Sequence, residues 1–545
     1  MSIQIFEQKD FTGGLNLRTD QFQLADNESP EMLNVEVDPR GGVFSRGGMA
    51  RYNSVDVGGV WSPQKLTPFY GVNTVLMLAN NNRVMRYVSG SNTFTNLEYS
   101  SGNPIVSDGV HGACFAAWGS TLYMATGTGG SAVATYKWDG STTYATALGG
   151  IVSNSDWLAG TNDKFPRAEH LIVHTNKMFA ANVITEGTTH RNRIHFSLEA
   201  FPQKWDKDDY FDILGGGDGI VGMCVVNGVL IIFKPYAIYA LYGYDNTNYR
   251  LVEVSGSLGC LSHHAMAQTE SGVYFYSSNK GLFFLDGSNI VDVFERMRPV
   301  FDLGYINSAA EEAISVSWVG QRVWLSVPYS TTGTGATEPT VNIVYDPSTR
   351  SYTMFSTADS KGVVGGTDYR DSAGVEHRLM CHPTVPCVLN VDKYSLPYDL
   401  INVDGSQSGF ATAYRTKWFD AGSYLQRKMF RRPDLVMRET DTLQNISVSV
   451  YHDFQEATGS EARTFFIGQS PTQSGMVWGG LWAYEPVGAD PYGSYWSNDT
   501  LGGQIQTASN LGLCKTVQLR FSGELKKPWG INSIGYKWQP RRVKG

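Results

Sequence analysis

The sequence predicts an all-β protein, and three observations carry that reading. Apolar residues alternate with polar ones in short runs bounded by turn residues. The turns recur at a spacing close to 49 residues. The composition is rich in glycine (59 of 545 residues) and aromatics (12%) and poor in charge (17%), where soluble chains usually carry about 7% glycine and 25% charge. A chain this apolar does not stay disordered. No apolar run approaches the ~20 residues of a membrane-spanning helix, the best being Val229–Phe233, so no membrane span is expected. The opening MSIQIFEQKDF has neither a basic nor an apolar signal region, so no secretory signal and synthesis in the cytoplasm are expected.

The repeating unit is a strand, a tight turn and a strand. It appears in Val75–Val88, Phe115–Thr126, Leu171–Val183, Met223–Phe233, Val273–Gly287 and Ile314–Val327, with a weaker copy around residue 373. Asn227-Gly228 is the strongest hairpin signal, because a type I′ turn needs positive φ at both central residues. Turn centres near 81, 119, 176, 227, 280, 320 and 373 lie 38 to 57 residues apart. Blades of four short strands repeat at roughly that interval, so residues 55–410 are expected to form a β-propeller of six to eight blades. A sandwich with irregularly spaced hairpins is the competing architecture. Trp138-Asp139-Gly140, Leu285-Asp286-Gly287 and Tyr345-Asp346-Pro347 punctuate strand ends; their carboxylates are expected to fold back on the following amides as Asx-turns.

Both flanks differ from this core. Residues 1–54 are polar and broken by Gly13-Gly14, Asp38-Pro39 and Gly41-Gly42. They read as an extended N-terminal arm with few apolar anchors, holding one short helix within Glu28–Val37 capped by Ser29 with Pro30 in its first turn. Such an arm would order only on another surface. Residues 411–545 read as a separate β-rich platform domain, shared with the arm, in which a Gly-, Ser- and Trp-rich stretch over 468–508 forms long loops. The net charge of −8 is uneven. Residues 501–545 hold eight Lys and Arg against Glu524, hence +7, leaving −15 on the preceding 500.

Candidate chemistry is sparse. Cys381, His382 and Cys387 match no common zinc spacing. His263 and His264, if on a strand, face opposite sides. His170 and His174 share a strand face but offer only two ligands. No metal and no cofactor are expected. Gly215–Gly217 lacks the continuation of a P-loop, and no GxSxG elbow is present. Asp208-Asp209 could serve as paired glycosidase acids, yet adjacent loop acids are more commonly solvated. The chain is expected not to be an enzyme.

The arm carries Phe11, Gly13, Gly14, Leu15, Asn16 and Arg18, then Leu24, Glu28 and Asn34, and finally Gly42 through Arg46 and Gly47. A second block runs from Arg193–Ser197 through Trp205, Phe211–Ile213 and Gly217–Gly222. It continues with Leu230–Lys234, Tyr239–Gly243, Gly259, Val273–Tyr276, Gly281–Phe283 and Asp286-Gly287. In order and kind these resemble the tail nozzle and tail hub proteins of short-tailed bacteriophages, also described as tail tube or packaged-DNA stabilisation proteins. The C-terminal strand over 530–538 is similar in kind to the family's platform end.

That resemblance implies a structural virion protein of the phage tail, made in the host cytoplasm. It implies a homohexameric ring below the portal and its adaptor (head-to-tail connector) ring, a channel that retains the packaged genome and passes it during ejection. Further partners would be tail fibre, spike or needle proteins, and double-stranded DNA passing without sequence-specific binding. The assembly arm would comprise Phe11, Gly13, Gly14, Leu15, Asn16, Arg18, Asn34, Arg46 and Gly47. Two alternatives stay open: a glycan-binding or glycan-hydrolysing β-propeller of the tail, and a generic protein-interaction propeller. The acid-rich body is expected to line the channel without gripping DNA, with the basic end away from the DNA path or at a ring-to-ring contact.

Overall fold

The computed structural model describes residues 2–59, 61–80, 83–107, 112–128, 134–157, 164–217, 219–245, 247–278, 280–331, 335–438, 445–455, 460–468, 504–507 and 510–540. The loops expected over 468–508 fall almost wholly outside these residues, as do Arg541, Arg542 and Lys544 of the basic end.

The propeller is present. Six sheets, five of four strands and one of five, stand as blades in a ring over 63–96, 114–165, 167–212, 222–255, 266–292 and 364–393. A seventh four-stranded unit, 315–355, stands between the last two as part of a larger sheet. The first strands of neighbouring units touch: Cys114–Trp118 meets Arg167–His174, Met266–Gln268 meets Ser315–Val319, and Val364–Arg370 meets Pro63–Tyr70. First strands therefore line the axis. Second strands such as Val229–Phe233 and Val273–Ser277 are buried nearly throughout, because each blade is covered by a blade on either side. The turns follow their residues: Asn227 and Gly228 take φ of 49° and 77°, as the type I′ reading requires.

The ring closes twice. Leu66, Leu76 and Leu78 of the first blade share one cluster with Val364, Leu379 and Val388 of the last. The outer strand of that last blade comes from the other end of the chain: Gly48–Arg51 pairs antiparallel with Val388–Lys393, matching Ala50 to Asn390 and Arg51 to Leu389.

The first fifty residues are therefore not a free arm. Gln4–Gln8 pairs along Gly530–Pro540, with Phe6 opposite Tyr536. Val43–Ser45 pairs with the start of that same strand. Glu31–Leu33 bridges Ser351–Phe355 of the propeller to Ala413–Arg415. Phe11, Leu15, Met32, Val35 and Val43 are at most 2% exposed and share a core with Tyr414, Phe430, Phe521, Trp529 and Tyr536. Burying a side chain of this size stabilises by ~1.5–3 kcal/mol, so the apolar anchors thought to be missing are here.

The short helix expected in Glu28–Val37 is also absent. This segment forms strands Glu28–Ser29, Glu31–Leu33 and Val35–Val37. Asn34 sits between two of them at φ 52°, a left-handed conformation no helix admits, and sheet partners on both sides outweigh the Ser-Pro helix-start signal.

From Ser351–Phe355 the larger sheet continues through Glu31–Leu33, Ala413–Arg415, Val517–Gly523 and Asn445–His452 to Arg463–Gly468. A second sheet centres on Gly530–Pro540, flanked by Lys428–Phe430 and Asp434–Met437. Phe419 lies in the core beside it, its ring 4.6 Å from Tyr536 and 5.1 Å from Phe6.

Candidate functional site

Three constellations collect the polar chemistry. The first holds most residues of the proposed assembly arm. Asn34 reaches Ser356 and the Ala411 carbonyl through Nδ2, and its Oδ1 accepts from the Ser356 N–H at 2.8 Å and Arg46 Nε at 2.9 Å. The Arg46 guanidinium forks onto Asp399 at 3.0 and 2.9 Å and donates to the Gly47 and Ser356 carbonyls. It lies 3.7 Å from the centre of the Phe410 ring. Asp399 also accepts the backbone N–H groups of Met49 and Ala358, both at 2.9 Å. Both charged side chains are essentially unexposed.

The glycine pair serves close approach. Gly14 has φ 68°, and a Cβ there would lie 2.6 Å from Ser351 Cβ. A Cβ on Gly13 would lie 2.7 Å from the Asn27 carbonyl oxygen. Asn16 caps a turn, accepting from the Arg18 and Thr19 amides. Phe11, Gly13, Gly14, Leu15, Asn16, Asn34, Arg46 and Gly47 are thus all buried within their own chain. Arg18 alone of the set is exposed, paired with Glu295. This corrects the arm reading: these residues knit the N-terminal segment to the propeller and the platform.

The second constellation lies where the turns of the 315–355 unit meet the hairpin of Val35–Val37 and Val43–Ser45. A cavity of about 420 Å³ is lined by Glu36, Phe44, Arg322, Arg378 and Tyr394 among others. Arg322 bridges Glu36 at 3.4 Å and Asp392 at 2.5 Å, and Arg378 reaches Asp392 at 3.1 Å. The Tyr394 hydroxyl donates to Glu36 at 2.8 Å. Burial pushes the Glu36 carboxyl up. Burial alone would lower Arg322, but the carboxylates of Glu36 and Asp392 outweigh it and hold it up.

The third lies on the axis. Cys114 opens the first strand of its blade, His170 sits within the first strand of the next, and His263 occupies a 3-10 turn just before Met266–Gln268. Cys114 Sγ is 3.7 Å from His263 Nε2, and the imidazoles of His170 and His263 are 5.3 Å apart. One ligand atom from each residue falls within 4.8 Å of the others. His170 Nε2 lies 3.2 Å from the Ile220 carbonyl. Lys65, on the first blade's inner strand, interacts with Cys114 and Cys224, and burial pushes its ammonium down. Burial pushes the Cys114 thiol up, the opposite of an activated nucleophile.

Sequence spacing did not find this cluster, since its members come from three blades. The two histidine pairs weighed from sequence each supply one member. His263 and His264 lie on a 3-10 turn, not a strand, and His170 is joined by Cys114 and His263 rather than by His174.

The other candidates fall apart. The His382 ring accepts the Val385 N–H at 2.9 Å and meets Asp359 at 3.2 Å, while Cys381 and Cys387 are buried free thiols. Asp208 is exposed and Asp209 buried on one strand, Phe201–Asp212, so the two do not face a common substrate. The strand-end acids behave as expected. Asp139 accepts the Ser141 and Thr142 amides, which lower it to about 2. Asp286 accepts those of Ser288 and Asn289, and Asp346 that of Ser348. Among the described residues no helix is long and apolar enough to cross a membrane.

The fold defines a β-propeller protein whose last blade is completed by an N-terminal strand. No protein-family model and no curated protein matches the chain. Among solved structures it is similar to the extracellular domain of a B. thetaiotaomicron protein described as a one component system. The identity is 9% and the TM-score 0.37, over 76% of this chain and 47% of that one. The chain thus spans about half the length of that structure.

Proposed function

We propose that this chain is a structural subunit of a short-tailed phage tail, the nozzle or hub that retains the packaged genome and passes it during ejection. Besides the resemblance of the N-terminal and blade motifs, one observation supports the reading. Gln4–Gln8 and Gly530–Pro540 pair in one platform sheet, and a second platform sheet runs on from the propeller, so each subunit would be one joined block. The axis of that propeller is occupied by Lys65, Cys114, His170 and His263 side chains, too crowded for a duplex. A channel for DNA would therefore lie between copies, which is what a homohexameric ring provides. Its partners would be the adaptor ring above and tail fibre, spike or needle proteins around it.

The buried arm residues cannot also be the tie between copies. Intersubunit contacts would fall on the outer surfaces of platform and blades. Light scattering and negative-stain imaging of the purified chain, alone and with an adaptor-ring protein of a short-tailed phage, test this. A six-membered ring that docks on the adaptor is expected. A chain that remains monomeric with the adaptor, and is missing from purified virions by mass spectrometry, would overturn it.

A further inference from the structure

We propose that the propeller axis holds a metal site in which the Cys114 thiolate and the imidazoles of His170 and His263 bind one Zn²⁺-class cation. The donors come from separate blades, and Cys114 and His263 are 149 residues apart in sequence, so only ring closure assembles them. The 3.7 Å between Cys114 Sγ and His263 Nε2 is close to the edge of a zinc tetrahedron: bonds of ~2.3 Å to sulfur and ~2.0–2.1 Å to nitrogen put those two atoms about 3.6 Å apart. In the metal-free chain this is a sulfur–nitrogen hydrogen bond, and the same separation fits two ligands of a common ion.

The surroundings of His170 match what a ligating histidine needs. Donation from His170 Nε2 to the Ile220 carbonyl leaves the lone pair on Nδ1, and such a carbonyl contact is the usual outer support of a metal-bound imidazole. With His263 Nε2 facing Cys114, its ring proton falls on Nδ1, which has no hydrogen-bond partner among the described residues, so the outer support is at His170. Cys114 and His170 are buried whereas His263 keeps partial exposure, which supplies an entry path and a fourth position open to solvent. One thiolate with two imidazoles suits Zn²⁺ or Cu⁺ over Mg²⁺ or Ca²⁺, which prefer oxygen. Binding transfers the thiol proton to solvent and joins three blades across the axis. The Lys65 ammonium interacts with Cys114 and His263 and opposes a cation there, while the Glu169 carboxylate, 3.9 Å from His170 Nε2, favours one.

The test uses the full-length chain purified without a histidine tag. After dialysis against chelator and then Co²⁺, one equivalent of cobalt per chain should bind, with a thiolate-to-cobalt charge-transfer band and tetrahedral visible bands. Zn²⁺ should displace it and raise Tm. Cys114→Ser and His263→Gln should each weaken binding at least a hundred-fold. Cys387→Ser, a buried thiol in another blade, should change nothing, and Lys65→Met should tighten binding. If the ligand variants fold poorly, the wild-type cobalt spectrum and the zinc dependence of Tm decide the matter. Sub-stoichiometric cobalt without a charge-transfer band, or a band that survives Cys114→Ser, would overturn the site. Neither result bears on whether the chain forms a ring.

Discussion

The Arg46–Asp399 pair gives the sharpest test of how the two ends of the chain are joined. Asp399→Ala would leave the guanidinium buried without its counter-charge and strip the Met49 and Ala358 amides of their acceptor. Breaking a buried pair by removing one partner costs ~3–5 kcal/mol, and an orphaned buried N–H ~1–3 kcal/mol. These terms overlap, so a loss of about 4 kcal/mol or more is expected. Typical stabilities are ~5–15 kcal/mol, so the variant should lose much of the closure of its last blade. Arg46→Lys should cost nearly as much, because an ammonium cannot reproduce a fork that meets two carboxylate oxygens and two carbonyls. The double variant Arg46→Met/Asp399→Leu should recover part of the loss, since apolar groups of similar size often replace a buried pair without penalty.

Calorimetry and urea titration followed by tryptophan fluorescence would measure these losses. Limited proteolysis of residues 1–51 would locate them, which matters because a chain this long need not unfold in one step. Asp404→Ala, at an exposed acid nearby in sequence, is the control. If Asp399→Ala stays within about 1 kcal/mol of that control, the pair does not hold the ends together.

Two further outcomes follow from the same packing. Deleting residues 1–51 should yield an insoluble chain or one without near-ultraviolet circular dichroism, because it removes a blade strand and seven buried apolar side chains together; a well-folded monomer would refute the woven N-terminus. His195 lies between Trp157 and Tyr210, with ring centres 5.1 and 5.3 Å away, and burial with nearby Arg193 lowers it to about 3. Between pH 6.5 and 3 the unfolded chain therefore binds a proton that the folded chain refuses. Stability should fall with acidification by up to about 1.4 kcal/mol per pH unit from this group, and His195→Phe should flatten that slope in acid denaturation curves.

Much of the propeller was legible because its code is local. Alternating apolar runs and turn residues such as Asn227-Gly228 specify hairpins without reference to the rest of the chain. The uneven turn spacing also has a structural origin. The turns near 81 and 280 join second and third strands, whereas those near 119, 176, 227, 320 and 373 join first and second. Mixing the two kinds produces the short gaps. What stayed hidden was non-local. Nothing near Gly48–Arg51 announces a partner at Val388–Lys393, and the polar look of the first fifty residues concealed Phe11, Leu15 and Val35, each buried in a core shared with strands distant in sequence. Arg46 and Asn34 were singled out as groups meeting a neighbour, whereas in the fold both are buried in their own chain, since only the fold brings Asp399 and Ser356 to them. The axial cluster was illegible for the same reason.

The charge distribution carries the last expectation. Read along the sequence, the basic C-terminal end is a free cationic patch. In the fold Arg520 forks onto Glu31 with contacts from 2.7 to 3.1 Å, Lys527 pairs with Glu524 at 2.8 Å, and Lys537 pairs with Asp434. These cations are committed to acids of their own chain, so they add little to any phosphate-binding surface, while the preceding 500 residues remain strongly acidic. A duplex presents a charge every ~1.7 Å, and a protein that neutralises Z phosphates shows a log–log salt slope near −0.9Z. If the chain lines a DNA passage as proposed, it must let phosphates slide, and Z should be close to zero. Fluorescence anisotropy with a short labelled duplex at 50 and 200 mM salt would measure it on the assembled protein. Weak binding that barely changes between the two is expected. A loss of ~10³-fold or more across that range, the mark of six or more phosphate contacts, would show that the paired cations are released to DNA and that the protein grips the duplex.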